Sequence, residues 1–402
     1  AAGYAKTFGV SIPPSISGKN ASATVSLKDV EKVLEEINNS KAANGKNGKV
    51  LVVIDAASTT SSGDVQKSQI TLPANTMKAL VNSGNVTASI KTDLGEVLLP
   101  ADVLQQLNTN SGQSVVISIS NSSLAPASDG TGPIGDRPVV DISITRGSQE
   151  ITDLGAGQIR AGISYDARSN ENQSQLLTYY INDNGQTVPV KLSPFDSAND
   201  QMLFATVNLS LYPICYNNVS FADIQKHWAQ SNIEFLAARE IIKGKSADRF
   251  DPDGNVTRAE FVTMLANSVD GISVTGFRSS GLDDIGAGAW YADFVNWAVA
   301  NGIVSGFGDG NFRPNDLITR EQMALMMYNF TKATGADLGV VKEKKGFTDQ
   351  NNISSWSAEA ITKMQQTGII NGRTDGSFSP QGTSTRAEAA TVIKGYMEAL
   401  LK

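Results

Sequence analysis

Thr257-Arg258-Ala259-Glu260 is written three times in this chain. It returns as Thr319-Arg320-Glu321-Gln322 and as Thr385-Arg386-Ala387-Glu388. Trp228, Trp290 and Trp356 each stand thirty residues ahead of Arg258, Arg320 and Arg386. Between these anchors every landmark keeps register: Ile233, Val295 and Ile361; Ile242, Val304 and Ile370; Gly244, Gly306 and Gly372; Phe250, Phe312 and Phe378; Pro252, Pro314 and Pro380. Self-similarity at fixed spacing marks a supersecondary unit used three times.

The unit reads as helix, loop, helix. Thr-x-x-Glu, or Thr-x-x-Gln in the second copy, is a capping box: the Thr257, Thr319 or Thr385 side chain accepts from the amide three residues on. Glu260, Gln322 or Glu388 reaches back to the cap amide. The following helix has one apolar side, with Phe261, Met264 and Leu265 at i, i+3, i+4 in the first copy. A first helix is expected over 228–240, stopped by Ile241-Ile242-Lys243-Gly244 with glycine as its C-cap. The box does not account for arginine at the first helical position, where a cation opposes the helix dipole. Three such arginines suggest three places where a helix N-terminus and a guanidinium converge on one anion. The alternative is an arginine paired to a neighbouring carboxylate.

The run Phe221-Ala222-Asp223…His227-Trp228-Ala229…Ile241-Ile242-Lys243-Gly244…Phe250-Asp251-Pro252…Thr257-Arg258-Ala259-Glu260 resembles the S-layer homology (SLH) domain. The resemblance covers about 218–402. It implies an all-α, pseudo-threefold module of three repeats, 217–272, 273–335 and 336–402. It also implies a secreted protein held on the wall of a Gram-positive-type bacterium by a secondary cell-wall polymer, often pyruvylated. In that family the arginine of the motif faces the sugar acid, so Arg258, Arg320 and Arg386 are the expected ligand residues, with Trp228, Trp290 and Trp356 and with Gly244, Gly306 and Gly372. The groove at Arg320 is expected to be weakest, because Glu321 follows it. A tryptophan opening an amphipathic helix is ordinarily core; stacking on a sugar face is the other reading.

Composition narrows the rest. The 402 residues carry a net charge of −7, of which 216–402 holds 18 basic and 21 acidic residues. Neither half has a basic footprint, so nucleic acid and anionic membrane are poor partners. Cys215 is the single cysteine, so no disulfide forms within the chain, and its apolar surroundings make it a core side chain. His227 is the single histidine, which argues against a His-based triad or metal cluster. Asp251-Pro252-Asp253-Gly254-Asn255 resembles part of a calcium loop. Its glycine comes early and no glutamate stands at position 12, so it reads as a turn. No apolar run reaches the length of a membrane span and no signal peptide is visible; Ala1-Ala2-Gly3 reads as a processed or trimmed end. No catalytic residue, cofactor or metal is expected.

The N-terminal half is predicted to be α+β grading into all-β: an irregular segment 1–24, an α+β domain 25–120 and a sandwich-like β-rich domain 121–216. Ser26 caps a helix to about Asn38, with Val30, Val33, Leu34 and Ile37 on one face. Val50–Ile54 is a buried strand. Strand, proline, helix occurs twice, at Ile70-Thr71-Leu72-Pro73 and Val97-Leu98-Leu99-Pro100, with a hairpin at Asp93-Leu94-Gly95. This pattern resembles one found beside SLH repeats in large surface proteins and carries no site with it. Further strands are expected at 115–119, 139–145, 161–165, 177–181, 188–190 and 203–211, with loops at 38–48, 59–63 and 121–137. Asp141, Glu150, Asp153 and Asp166 form no evident carboxylate pair, and Gly155-Ala156-Gly157 lacks a βαβ context. A structural or assembly region, contributing to self-association in a surface layer, is the favoured reading; a tethered glycan-active enzyme is the alternative.

Overall fold

The computed structural model describes the chain except residues 1–3, 5, 41–48, 59–64, 110–111, 123–133, 153, 155–156, 183, 337 and 402. Most of the loops predicted at 38–48, 59–63 and 121–137 lie outside the described residues, as do Asp153, Gly155 and Ala156. The chain divides into two compact units, Ala1–Asn217 and Asn218–Leu400.

The first unit begins with three strands, β1 (Lys6–Ser11), β2 (Ser15–Ser17) and β3 (Asn20–Thr24), where the sequence reads as irregular. The correction has a physical cause. In β3 the alternation is written in small residues, Ala21 and Ala23 inward and Asn20, Ser22 and Thr24 outward, which a hydrophobicity reading passes over. Partners distant in sequence then supply the ladder: β1 pairs in parallel with β4 (Val50–Asp55), and β3 with β5 (Lys67–Leu72). Between β3 and β4 lies α1 (Leu27–Asn39), its N-terminus closed by a reciprocal Ser26–Asp29 box.

Helices α2 (Ala74–Asn82) and α3 (Ala101–Leu107) each follow a proline at the cap, Pro73 and Pro100. They bracket the hairpin of β6 (Val86–Thr92) and β7 (Gly95–Leu99). The later strands are β8 (Val115–Asn121), β9 (Val139–Arg146), β10 (Gln149–Ile151), β11 (Ile159–Ser164), β12 (Leu176–Ile181), β13 (Thr187–Val190), β14 (Phe195–Asp196), β15 (Gln201–Thr206) and β16 (Leu211–Tyr216). The single strand expected at 203–211 is therefore two. Thr206 bonds the Asn208 amide through its hydroxyl, a local turn that competes with the ladder.

One sheet runs β1-β4-β6-β7-β11-β15-β14, and the other runs β13-β12-β16-β9-β8-β5-β3-β2 with β10 on β9. Both sheets take strands from either side of residue 120, so 25–120 and 121–216 are parts of one unit. A single buried cluster joins Ile54, Ile90 and Leu99 of one sheet to Ile70, Ile117 and Ile144 of the other, with Val33, Met77 and Leu104 from the helices. Cys215 lies buried beside Leu177 and Tyr179, and burial pushes its thiol up to about 12.

The second unit is helical. Its helices are α4 (Gln230–Ala238), α5 (Arg258–Asn267), α6 (Ala292–Ala300), α7 (Arg320–Ala333), α8 (Ala358–Gln366) and α9 (Arg386–Ala399). The second helix of each repeat packs on the first helix of the next: α5 on α6, α7 on α8, and α9 back on α4. At the entry to the second helices three amides form a closed ring. Val256 donates to Ser384, Ser384 to Ile318 and Ile318 to Val256, each at 3.0 Å. Three β-bridges accompany it, Asn255↔Thr385, Thr257↔Leu317 and Thr319↔Thr383. The left-handed residue that ends each first helix is not Gly244 or its equivalents. It is Glu240, Gly302 and Gly368, at φ 58°, 67° and 77°, because the helix ends four residues earlier than the apolar run does.

Candidate functional site

Each repeat delivers its arginine to the seam with the next by the same local devices. Asp223, Asp284 and Asp349 each accept two consecutive amides, at Phe250 and Asp251, Phe312 and Arg313, and Phe378 and Ser379, at 2.6–2.9 Å. These bonds hold Asp251, Arg313 and Ser379 at φ 67°, 60° and 59°, a conformation side chains rarely adopt. The turn places the carbonyls of Phe250, Phe312 and Phe378 at the seam. Both halves of the capping box are present in all three copies, the cap amides meeting Glu260, Gln322 and Glu388 at 2.9, 3.2 and 3.0 Å.

The arginines sit at the seams and are buried, 4–6% exposed. The Nε of Arg258 donates to the Phe312 carbonyl, that of Arg320 to Phe378, and that of Arg386 to Phe250, at 2.8–3.0 Å. Each guanidinium also lies against that phenylalanine ring, 4.4–5.1 Å from its centroid. Burial lowers the pKa of all three, that of Arg258 to about 10.

The helix amides beside them are not free. Arg258 and Ala259 donate to Asp316 and Pro314; Arg320 and Glu321 to Gly382 and Pro380; Arg386 and Ala387 to Gly254 and Pro252. The expected convergence of a bare helix N-terminus and a guanidinium is corrected: neighbouring-repeat carbonyls satisfy those donors, leaving only the guanidinium edges for a ligand.

The terminal nitrogens differ from seam to seam. Arg320 reaches Glu388 at 3.3 Å and the Asn371 carbonyl at 3.0 Å. Arg386 reaches the Lys243 carbonyl at 2.8 Å, with Glu260 at 3.7 Å. The Arg258 guanidinium has no hydrogen bond beyond its Nε among the described residues; it lies against Phe307 as well as Phe312, and Arg313 also lies against Phe307.

Glu321 does not face a seam ligand. It is buried, and its carboxylate accepts from the Ser354 amide and hydroxyl, the Ser357 hydroxyl and the Gln381 amide group. The reason for ranking the Arg320 groove weakest is thus removed.

Trp228, Trp290 and Trp356 are 63%, 61% and 51% exposed. The core reading of these rings is corrected: the first helix begins after them, and Ala229, Tyr291 and Ser357, the next residues, turn inward or halfway inward. Gly244, Gly306 and Gly372 stand where a Cβ would press, at 2.5–2.9 Å, on loop carbonyls and on Phe221, Leu282 or Phe347. Asp251–Asn255 forms a turn, the Gly254 amide donating to the Asp251 carbonyl. His227 bonds the Ala229 amide and faces Asp253.

Phe307 and Arg313 escaped the sequence reading, as did the loop-pinning role of Asp223, Asp284 and Asp349. The signal for the first was present. Where Lys245 and Arg373 accompany Glu260 and Glu388, Phe307 accompanies Gln322.

The S-layer homology domain model matches residues 220–262, 282–324 and 346–390. The chain is 31% identical over 313 residues to an amylopullulanase of Thermoanaerobacterium thermosulfurigenes, covering 77% of this chain and 16% of that protein. That span exceeds the second unit, so the likeness runs well into the sheet-rich one. The S-layer protein sap of Bacillus anthracis is 30% identical over 186 residues, 45% of this chain and 22% of that one. A cellulosome-anchoring protein of Acetivibrio thermocellus is 26% identical over 164 residues, 39% and 35% of the two chains. The chain therefore spans about a sixth of the amylopullulanase and about a third of the anchoring protein.

Proposed function

Because this chain is a cell-surface protein carrying three S-layer homology domains, we propose that its second unit holds it non-covalently to the bacterial wall by binding an anionic, pyruvylated secondary cell-wall polymer. The seams at Arg258, Arg320 and Arg386 offer a guanidinium to the sugar acid, and Trp228, Trp290 and Trp356 offer exposed rings to sugar faces. Gly244, Gly306 and Gly372 shape the loops between them. The closed ring of hydrogen bonds supports a pseudo-threefold module. The observation that carries the reading is the three tryptophans. Large aromatic side chains more than half exposed at one register in all three repeats contribute little to the core and suit an amphipathic surface ligand.

The sheet-rich unit serves in this reading as a non-catalytic structural or assembly region, with self-association in a surface layer as its role. Its likeness to a stretch of an amylopullulanase fits a second reading, in which such a unit stands between an anchor and a glycan-active enzyme. The experiment is co-sedimentation of the full chain with purified walls bearing a pyruvylated polymer and with the same walls stripped of it. Retention on the first and loss on the second is expected. Equal retention on bare peptidoglycan would overturn the polymer reading. Release of reducing sugar from glycan by the chain would overturn the non-catalytic one.

A further inference from the structure

The three seams are built alike but charged differently. The arginine of one repeat meets the loop and capping box of the next. Arg386 meets the first repeat, where Glu260 approaches it at 3.7 Å and is itself paired to Lys245 at 2.6 Å. Arg320 meets the third repeat, where Glu388 stands at 3.3 Å, with Arg373 3.7 Å away. Arg258 meets the second repeat. There the register puts Gln322 in place of the acid and Phe307 in place of the cation. Asp284 is engaged by the Phe312 and Arg313 amides, and neither it nor Asp316 comes within ion-pair distance of Arg258. So Arg258 is 4% exposed, and among the described residues its guanidinium has one hydrogen bond, no ion pair, and two terminal nitrogens without an acceptor.

Asp316 and Asp284 attract Arg258 only from beyond ion-pair distance, and a buried charge with no paired counter-ion is costly and favours an anion that can reach it. A carboxylate matches the planar fork of two guanidinium nitrogens. In the other two seams the chain's own glutamate already supplies that carboxylate, so an incoming acid would have to displace it. Resting on the wall-polymer reading above, we infer that Glu260 and Glu388 act as internal carboxylates that occupy two of the seams, and that the Arg258 seam, left without a competing carboxylate by Gln322, is the primary site for the polymer's acid group. The module is then a largely single-site binder, and position 322 with its equivalents sets which seam is open.

The test uses the full chain and purified walls bearing a pyruvylated polymer, titrated to give an affinity and a capacity. Gln322→Glu installs the acid the other seams have and keeps the capping box, since glutamate serves there in repeats one and three. It should weaken wall affinity tenfold or more without lowering the melting temperature. Glu388→Gln should leave affinity intact or raise capacity. Unchanged wall affinity in Gln322→Glu would overturn the inference, as would loss of affinity in Glu388→Gln at an unchanged melting temperature. A wild-type chain that ignores these walls would instead sink the polymer reading itself, so the two failures are distinguishable.

Discussion

Arg386 shows what the seam arginines do before any ligand arrives. Its Nε and one terminal nitrogen are bonded to the carbonyls of Phe250 and Lys243, residues more than 130 positions away in the chain. A dipole argument alone makes the cation unfavourable at a helix start; the buried bonds outweigh it. Arg386→Ala should therefore destabilise the chain, by about 1.5–3 kcal/mol if one charged hydrogen bond dominates, read by denaturant unfolding. An unmoved midpoint would mean that the seam closes without its clasp. In the other unit, Glu171 is the residue to watch. Burial by itself raises its pKa, but the Arg168 amide, the Tyr165 hydroxyl and the Arg137 guanidinium together hold it below the ordinary carboxylate range. A depressed folded pKa means stability that is complete above the unfolded value, about 4.3, and is lost as pH falls through the folded value. The melting temperature should fall on acidification below about pH 5, and Glu171→Gln should show a shallower fall. Parallel curves for the two proteins would remove Glu171 from the account.

At the scale of the element, helix ends are the informative places. Thr257→Ala removes one half of a capping box whose other half, Glu260, also approaches Arg386. The loss should be about 1 kcal/mol, with wall retention little changed when compared below the transition; collapse of retention at unchanged stability would make the threonine a ligand contact. Glu240 holds the left-handed position that Gly302 and Gly368 hold in the other repeats. Left-handed backbone costs a side-chain residue about 1–2 kcal/mol, and glycine's extra freedom in the unfolded chain returns part of that. Glu240→Gly should therefore stabilise by about 0.5–1 kcal/mol, measured by calorimetry. A lower melting temperature would show that the glutamate side chain has a compensating role.

At the scale of the molecule, the second unit is a ring and not a row. Each repeat packs its second helix on the next and sends its arginine there, while its strand-like amide donates to the repeat before, and the third closes on the first. A single repeat excised as 218–272 keeps α4 and α5 but loses the partners of both, α9 and α6. Repeats that bury apolar surface only against neighbours do not fold alone. Circular dichroism of that fragment should show no cooperative thermal transition; a sharp one would contradict the ring as the folding unit. The sheet-rich unit is tied together otherwise: both sheets are open, and its first strands pair with β4 and β5 while later strands β11 to β16 extend or complete them.

The sequence by itself determined what is local or repeated. Capping boxes need four residues, so Thr257, Thr319 and Thr385 could be placed from the chain alone, as could Ser26 and the strand at Val50–Asp55. The repeat register located the arginines and tryptophans because each repeat applies the same physics at the same spacing. Tertiary structure decided everything that depends on which surface meets which. That β3 is a strand depends on β5, since alanines and serines bury too little to declare themselves. That the tryptophans are exposed depends on where the first helix begins and what packs on it. That Arg258 alone of the three seam arginines has no carboxylate at ion-pair distance among the described residues depends on its meeting Gln322 of the next repeat and not Glu260 of its own. Charges interact through space, over a few ångströms, and Arg258 reaches the second repeat only when α5 packs on α6.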